Sequence, residues 1–308
     1  PDHQIYRKMV APSFTPKAIR GLEEDMRLKI RELLENVEGK SEFNFVTEIA
    51  EQLPLWVLCE MMGIPESDRS KIRDLVNNLT DASIQQDPNN SFQIWVNYME
   101  LFKMGRDMIE ERRKKPTDDL MSVVANTKVE GGDLPPELLD GFFLLMVIAG
   151  NETTRNTLTG GLMALTENPS EREKLLKDPS LIANATDEML RWVTSVIYFR
   201  RTATKDTNIR GQDIKAGDKI IMWYGSANRD EDIFIDGHLF KVDRQNAKKH
   251  LAFGAGEHLC LGNRLGHMQI RILFEELLKR FPNIHSVAEP VRIPSNFLAG
   301  ISELKVSI

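Results

Sequence analysis

Phe253-Gly254-Ala255-Gly256-Glu257-His258-Leu259-Cys260-Leu261-Gly262 sets a lone thiol in a glycine-rich bend that runs directly into a helical pattern. Leu265 and Met268 lead that pattern into Ile270, Leu273, Phe274, Leu277, Leu278 and Phe281, and Pro282 ends it. Gly254, Gly256 and Gly262 lack a Cβ, so the bend is free to take tight or left-handed turns and to let a flat ligand approach. Backbone N–H groups then face the sulfur. With the positive end of the following helix, they are expected to depress the thiol pKa and hold a thiolate, the form that ligates iron. A cysteine without such context is usually a small apolar filler, and Cys59, inside the helical run Trp56-Val57-Leu58-Cys59, keeps that reading.

Upstream of the bend the chain reads as helix after helix. Leu22, Met26, Ile30, Leu33, Leu34 and Val37 recur at helical spacing and stop at Gly39, and Ile94, Tyr98, Leu101, Met108 and Ile109 form a second stripe. Pro12, Pro16, Pro54, Pro65, Pro88 and Pro116 punctuate these segments. After Leu190 the texture changes to short strands: Ile197-Tyr198-Phe199, then 208–214, then 220–224, separated by turns containing glycine. The economical assignment is one mainly α domain over 1–308 with a small β region. Within it, residues 1–192 are helix-rich, 193–240 form the β region, 241–282 hold the cysteine loop and its helix, and 283–308 form a C-terminal β segment.

The bulk numbers narrow the function classes. With 308 residues, 41% of them hydrophobic, the chain is long enough to bury a large core. Its 40 Lys and Arg against 46 Asp and Glu give a net charge of −6, with no basic block that reads as a nucleic-acid or membrane footprint. Arg112-Arg113-Lys114-Lys115 reads as a solvated face rather than a docking site. An apolar small molecule or a protein partner is the expected ligand. Two distant cysteines without a Cys-x-x-Cys pair argue against a disulfide framework and suit a reducing cytoplasm. The longest apolar run, Phe142 to Ala149, is too short to span a bilayer.

The Phe-x-x-Gly-x-His-x-Cys-x-Gly spacing resembles the haem-ligand loop of the cytochrome P450 family. That resemblance implies haem b with Cys260 as its axial thiolate, cradled by Phe253, Gly254, Gly256 and Gly262, and it implies companions upstream. Glu188 and Arg191 form the family's Glu-x-x-Arg pair, and Arg244 stands where the family has a second arginine; the three imply a buried structural network. Ala149-Gly150-Asn151-Glu152-Thr153-Thr154 puts an acid and two hydroxyls into an otherwise apolar helix. Threonine hydroxyls take backbone bonds from the preceding turn and loosen a helix, leaving a notch. The match implies that Ala149 and Gly150 line the haem, that Thr153 stabilises iron-bound dioxygen and that Glu152 gates protons to it. His3, Arg7, Arg201 and His258 match the family's propionate contacts.

The segments 150–156 and 222–231 look like two bacterial subgroups, the alkane and fatty-acid terminal hydroxylases and the steroid side-chain terminal hydroxylases. The implied activity is a monooxygenase that inserts one atom of dioxygen into a C–H bond at the end of an aliphatic chain. Electrons would come from a ferredoxin and its NAD(P)H-dependent ferredoxin reductase, and a cytoplasmic monomer is expected. The resemblance runs from Pro1 to Ile308, with the family's N-terminal portion missing and no methionine at the start. The family commonly has prolines where this chain has 230–237, a departure expected to alter only a surface turn. Two alternatives stand beside this reading: a peroxide-dependent hydroxylase, and a truncated haem-binding fragment that does no chemistry.

Overall fold

The computed structural model describes residues 3–80, 88–129 and 131–308. The helices expected from apolar spacing form, beginning with α1 (His3–Val10), α2 (Pro16–Arg20) and α3 (Glu23–Glu35). In α3, Met26, Ile30, Leu33 and Leu34 point into the core, and Gly39 turns the chain beyond it at φ +81°. There follow α4 (Gln52–Met62), α5 (Glu66–Thr80), α6 (Ser91–Lys114) and α7 (Leu120–Asn126). The apolar run Phe142 to Ala149 is the second half of α8 (Pro136–Ala149), and α9 (Glu152–Glu167) starts two residues later. Next come α10 (Pro169–Lys177) and α11 (Ile182–Val193). Buried apolar residues from Val10 to Val306 join one cluster.

The strands are short and peripheral. β1 (Glu42–Asn44) pairs antiparallel with β11 (Lys305–Ser307), which also pairs with β8 (His285–Ser286). Four hairpin-like pairs complete the described β structure: β2 (Lys128–Val129) with β3 (Gly132–Asp133), β4 (Tyr198–Thr202) with β7 (Lys219–Trp223), β5 (Thr207–Ile209) with β6 (Gln212–Ile214), and β9 (Val291–Arg292) with β10 (Ile301–Glu303). The stretch 208–214, expected as one strand, is thus a hairpin. Arg210 and Gly211 both take positive φ, +50° and +83°, and reverse the chain in two residues.

Beyond β7 the chain makes a helical turn, α12 (Tyr224–Ala227), and after the cysteine loop the long α13 (Asn263–Arg280). α9 is the hub, packed against α4, α11 and α13. Gly161 permits the approach, because an added Cβ would stand 3.0 Å from Met189 Sδ on α11 and 3.1 Å from Phe274 Cζ on α13. Among the described residues no helix is long and apolar enough to cross a membrane.

Candidate active site

The cysteine loop is built as its glycines foretell. Gly254 and Gly256 both adopt φ +70°, whereas Gly262 sits at −83° and serves as the residue before α13. The Cys260 N–H donates to the Phe253 carbonyl at 2.9 Å, closing the bend, and the Asn263 side-chain amide donates to the Cys260 carbonyl at 2.6 Å. α1 is laid across this loop. His3 and His258 bring their rings to 4.2 Å, Arg7 donates to the Leu259 carbonyl at 2.6 Å, and Gln4 donates to Glu257 at 2.9 Å. A helix and a loop about 250 residues apart in sequence therefore form one wall.

The thiol itself departs from expectation. Burial pushes Cys260 above the ordinary thiol value, and the Gly262 N–H and the Arg7 charge, acting in the expected direction, do not overcome it. Burial of the sulfur thus favours the neutral thiol, and a cation bound to the sulfur would favour the thiolate. Cys59 keeps its filler reading: it is fully buried and its thiol is pushed up to about 11.

The acid–threonine segment is a real interruption, with Gly150 and Asn151 separating α8 from α9. Thr153 Oγ1 donates to the Ala149 carbonyl at 2.8 Å, and Thr157 Oγ1 donates to the Thr153 carbonyl at 2.8 Å. The first of these bonds uses the carbonyl at the end of α8, where the helix breaks. Asn151 is fully buried, and neither its amide N nor its amide O finds a partner among the described residues. Glu152 is buried too, and its carboxylate pairs with Arg155 one turn on, a partner the sequence pattern does not announce. This break faces the cysteine helix: at Gly266 on α13 an added Cβ would lie 3.7 Å from the Phe253 ring and 4.0 Å from Thr154 Oγ1.

Glu188, Arg191 and Arg244 meet as expected. Arg191 forks onto Glu188 through two 2.7 Å bonds, and Arg244 Nε donates to Glu188 Oε2 at 3.0 Å, all three side chains being buried. Their remaining donors go to main-chain carbonyls. Arg191 reaches those of Asn228, Gly237 and Leu239, and Arg244 reaches those of Ile235, Asp236 and Leu239. Asn228, missed in the sequence, extends the brace by accepting the Leu251 N–H at 2.7 Å, just before the cysteine loop.

Two expectations are corrected here. The segment 230–237 is more than a surface turn, because its carbonyls are ligands of the two arginines and Phe234 is buried under the guanidinium of Arg191. The basic run is not wholly solvated either: Arg112 is buried, donating to Asp119 at 2.6 Å and to the Gly63 carbonyl at 2.9 Å. A consequence of the first correction is testable. At Gly237 an added Cβ would stand 2.6 Å from the Arg229 carbonyl oxygen. Gly237→Ala is expected to destabilise the protein by about 1–3 kcal/mol, read from urea unfolding, and an unchanged midpoint would contradict the packing described.

The other sequence candidates fall into place unevenly. Arg201 lies exposed on β4 and bonds only to the Arg200 carbonyl among the described residues. Its strand reaches the loop indirectly: Phe199 packs edge-on to Tyr224, whose hydroxyl lies 3.2 Å from a Cβ built on Gly254. Neither Arg7 nor Arg201 pairs with a carboxylate among the described residues. Likewise among those residues, no cluster of three or more His, Cys, Asp or Glu could hold a metal ion. A metal at Cys260 therefore needs a group that supplies its other ligands.

The comparisons with known proteins decide what this arrangement is. The sequence profile described as Cytochrome P450 matches residues 176–306. The methyl-branched lipid omega-hydroxylase of Mycobacterium bovis is 36% identical over 315 residues, which cover 100% of this chain and 73% of that protein. The chain belongs to the cytochrome P450 family. This P450 is also 36% identical to the steroid C26-monooxygenase of Rhodococcus jostii, spanning 99% of itself but only 64% of that relative's length. A Mycobacterium marinum cytochrome P450 solved with pseudoionone superposes with a TM-score of 0.95 at 35% identity, covering 100% of this chain and 75% of that one.

The P450 family is a haem-thiolate family with haem b as its cofactor, and the residues of this P450 fit that group. One soft donor is available at Cys260. Gly256 and Gly262 border open space, with nothing within 4 Å of an added Cβ. Arg7 with the rings of His3 and His258 forms a rim of nitrogen donors suited to two propionates.

Proposed function

We propose that this P450 is a monooxygenase that hydroxylates an apolar substrate, at the end of an aliphatic chain, with Cys260 as the axial ligand of haem b. The observation that carries the substrate class is on α8. Gly141, Leu145 and Ala149 recur every fourth residue on α8, all exposed, and across the break the hydroxyl of half-buried Thr153 donates to the Ala149 carbonyl at 2.8 Å. Leu145 is 60% exposed. Such a stripe offers an alkyl chain a wall and no hydrogen bond, and it delivers the chain's end to the polar interruption that closes that face. A haem-thiolate group, when bound, supplies the oxidising power, because thiolate donation favours O–O cleavage.

The chain's own residues then position and protonate. Thr153 presents its hydroxyl at the notch, Glu152 holds a proton path closed while paired with Arg155, and Asn151 offers its unsatisfied amide to water there. The relatives named as a steroid C26-monooxygenase and a methyl-branched lipid omega-hydroxylase support an ω-carbon as the target. Linear alkanes, fatty acids and sterol ketones should therefore shift the haem spin state, and a competent ferredoxin with its NAD(P)H-dependent reductase should yield the terminal alcohol. Failure of all three classes to do either would overturn the assignment, and product driven by peroxide but not by reductant would favour the peroxide-dependent alternative.

The electron donor meets the opposite side of the cysteine loop. Arg20, Lys248 and Arg264 line a cleft of about 880 Å3 beside Gly254 and Leu259 and have no acidic partner among the described residues. Unpaired cations around an exposed loop fit an acidic iron–sulfur protein. Lys248→Glu with Arg264→Glu is expected to slow reduction by the ferredoxin about tenfold or more at low salt, with the difference shrinking as ionic strength rises. Stopped-flow reduction measures it, and equal rates for parent and variant would exclude this face.

A further inference from the structure

Asp187 precedes Glu188 on α11 but stands outside the arginine brace. Its Oδ1 lies 3.3 Å from His267 Nε2 on α13 and 3.6 Å from His250 Nε2, while its Oδ2 is buried with no hydrogen-bond partner among the described residues. Burial pushes this carboxyl up, and the two imidazoles outweigh that, holding it well below the usual carboxylate range. A charge is thus kept inside the protein beside the cysteine loop. Lys248, Arg264, Arg271 and Glu23 share the neighbouring cleft, and Arg271 is occupied by Glu23 and Glu275.

His250 stands between that charge and the loop. The Asp187 and His250 side chains are 9% and 6% exposed, so both are fixed by packing. His250 Nδ1 accepts the Ala252 N–H at 3.2 Å, which places the ring proton on Nε2, the nitrogen that faces Asp187. Its ring lies 5.6 Å from the Phe253 ring, and the Phe253 carbonyl is the acceptor of the Cys260 N–H at 2.9 Å. One unbroken series of contacts therefore joins a buried carboxylate on α11 to the backbone of the cysteine.

We infer that His250 is a positioning residue for Cys260: packed with its Nε2 facing the Asp187 carboxylate across 3.6 Å, it fixes the Ala252–Phe253 backbone through Nδ1 and through it the direction of the sulfur. This rests on the haem-thiolate reading given above. Asparagine at 250 keeps an acceptor where Nδ1 stands and glutamine keeps a donor where Nε2 stands, so the two ends of the imidazole are separable.

The test uses the haem-loaded protein and four variants, His250→Ala, His250→Asn, His250→Gln and Asp187→Asn. Its readouts are the Soret band of the reduced carbonyl complex and the haem reduction potential, with far-ultraviolet circular dichroism as the check on folding. His250→Ala and Asp187→Asn are expected to move a fraction of the Soret absorption to shorter wavelength, as thiolate ligation is lost, and to raise the potential. His250→Asn and His250→Gln should fall between His250→Ala and the parent. Parent-like spectra and potentials in Asp187→Asn would overturn the inference even if His250→Ala changed, because the carboxylate would then not be the anchor. If His250→Ala fails to fold, Asp187→Asn and His250→Asn decide by the same readouts. A parent protein lacking the thiolate band would instead defeat the underlying haem-thiolate reading.

Discussion

Arg191→Met is expected to destabilise the protein by about 3–5 kcal/mol, the range found when one member of a buried ion pair is removed and the other remains. Glu188 would keep Arg244 and the Lys241 N–H at 2.9 Å, so its charge is not wholly stranded. The carbonyls of Asn228 and Gly237, however, lose the guanidinium that serves them, and that of Leu239 retains Arg244. Each buried acceptor left without a donor costs about 1–3 kcal/mol, so the main-chain losses alone account for much of the effect.

Controls separate charge from shape. Arg191→Lys retains the charge but cannot fork onto Glu188 while also serving three carbonyls, so it should fall between parent and Arg191→Met. Arg191→Met combined with Glu188→Met should be less harmful than the sum of the two single changes, since the paired charges leave together and Arg244 keeps the carbonyls of Ile235, Asp236 and Leu239. Urea unfolding at a fixed haem concentration measures all of them, because ligand binding adds its own stabilisation. A change within about 0.5 kcal/mol for Arg191→Met would mean that the brace holds nothing up.

The unequal legibility of this chain has a physical origin. The cysteine loop, the Glu188–Arg191 pair and the acid–threonine segment could be read because each is a local pattern, in which spacing along one turn or one helix already fixes geometry. Arg244 was reached only through resemblance, since nothing local links it to a helix more than fifty residues away. Asp187, His250 and His267 were invisible for the same reason: each is an ordinary side chain until α11, α13 and the loop are folded together. Arg112 was misread because its environment is set by Asp119 and the Gly63 carbonyl, and composition cannot reveal pairing. The upward direction of the thiol's shift without a metal was not legible either, because donors can be counted in a sequence while desolvation cannot.

That direction sharpens what Cys260→Ala should do. If the protein alone kept the sulfur ionised, the loop would hold a thiolate whether or not a metal were present, and removing it would relieve a buried charge. Because burial instead favours the thiol, a metal bound to the sulfur, as proposed, would itself be what favours the anion. Cys260→Ala is therefore expected to fold as well as the parent in the absence of haem, with an unfolding midpoint within about 1 kcal/mol, since Cβ packing is retained and one partly buried sulfur is lost. Haem affinity should fall by at least about 100-fold, the upper end of what losing even an outer-sphere partner does to metal binding. Any haem that is still taken up should lack the thiolate band in the reduced carbonyl spectrum and support no hydroxylation. The stability arm separates a ligand from a structural residue: a variant that fails to fold without haem would make Cys260 a member of the scaffold. A variant with the parent's Soret spectrum would remove the sulfur from the iron altogether, and the proposed chemistry with it.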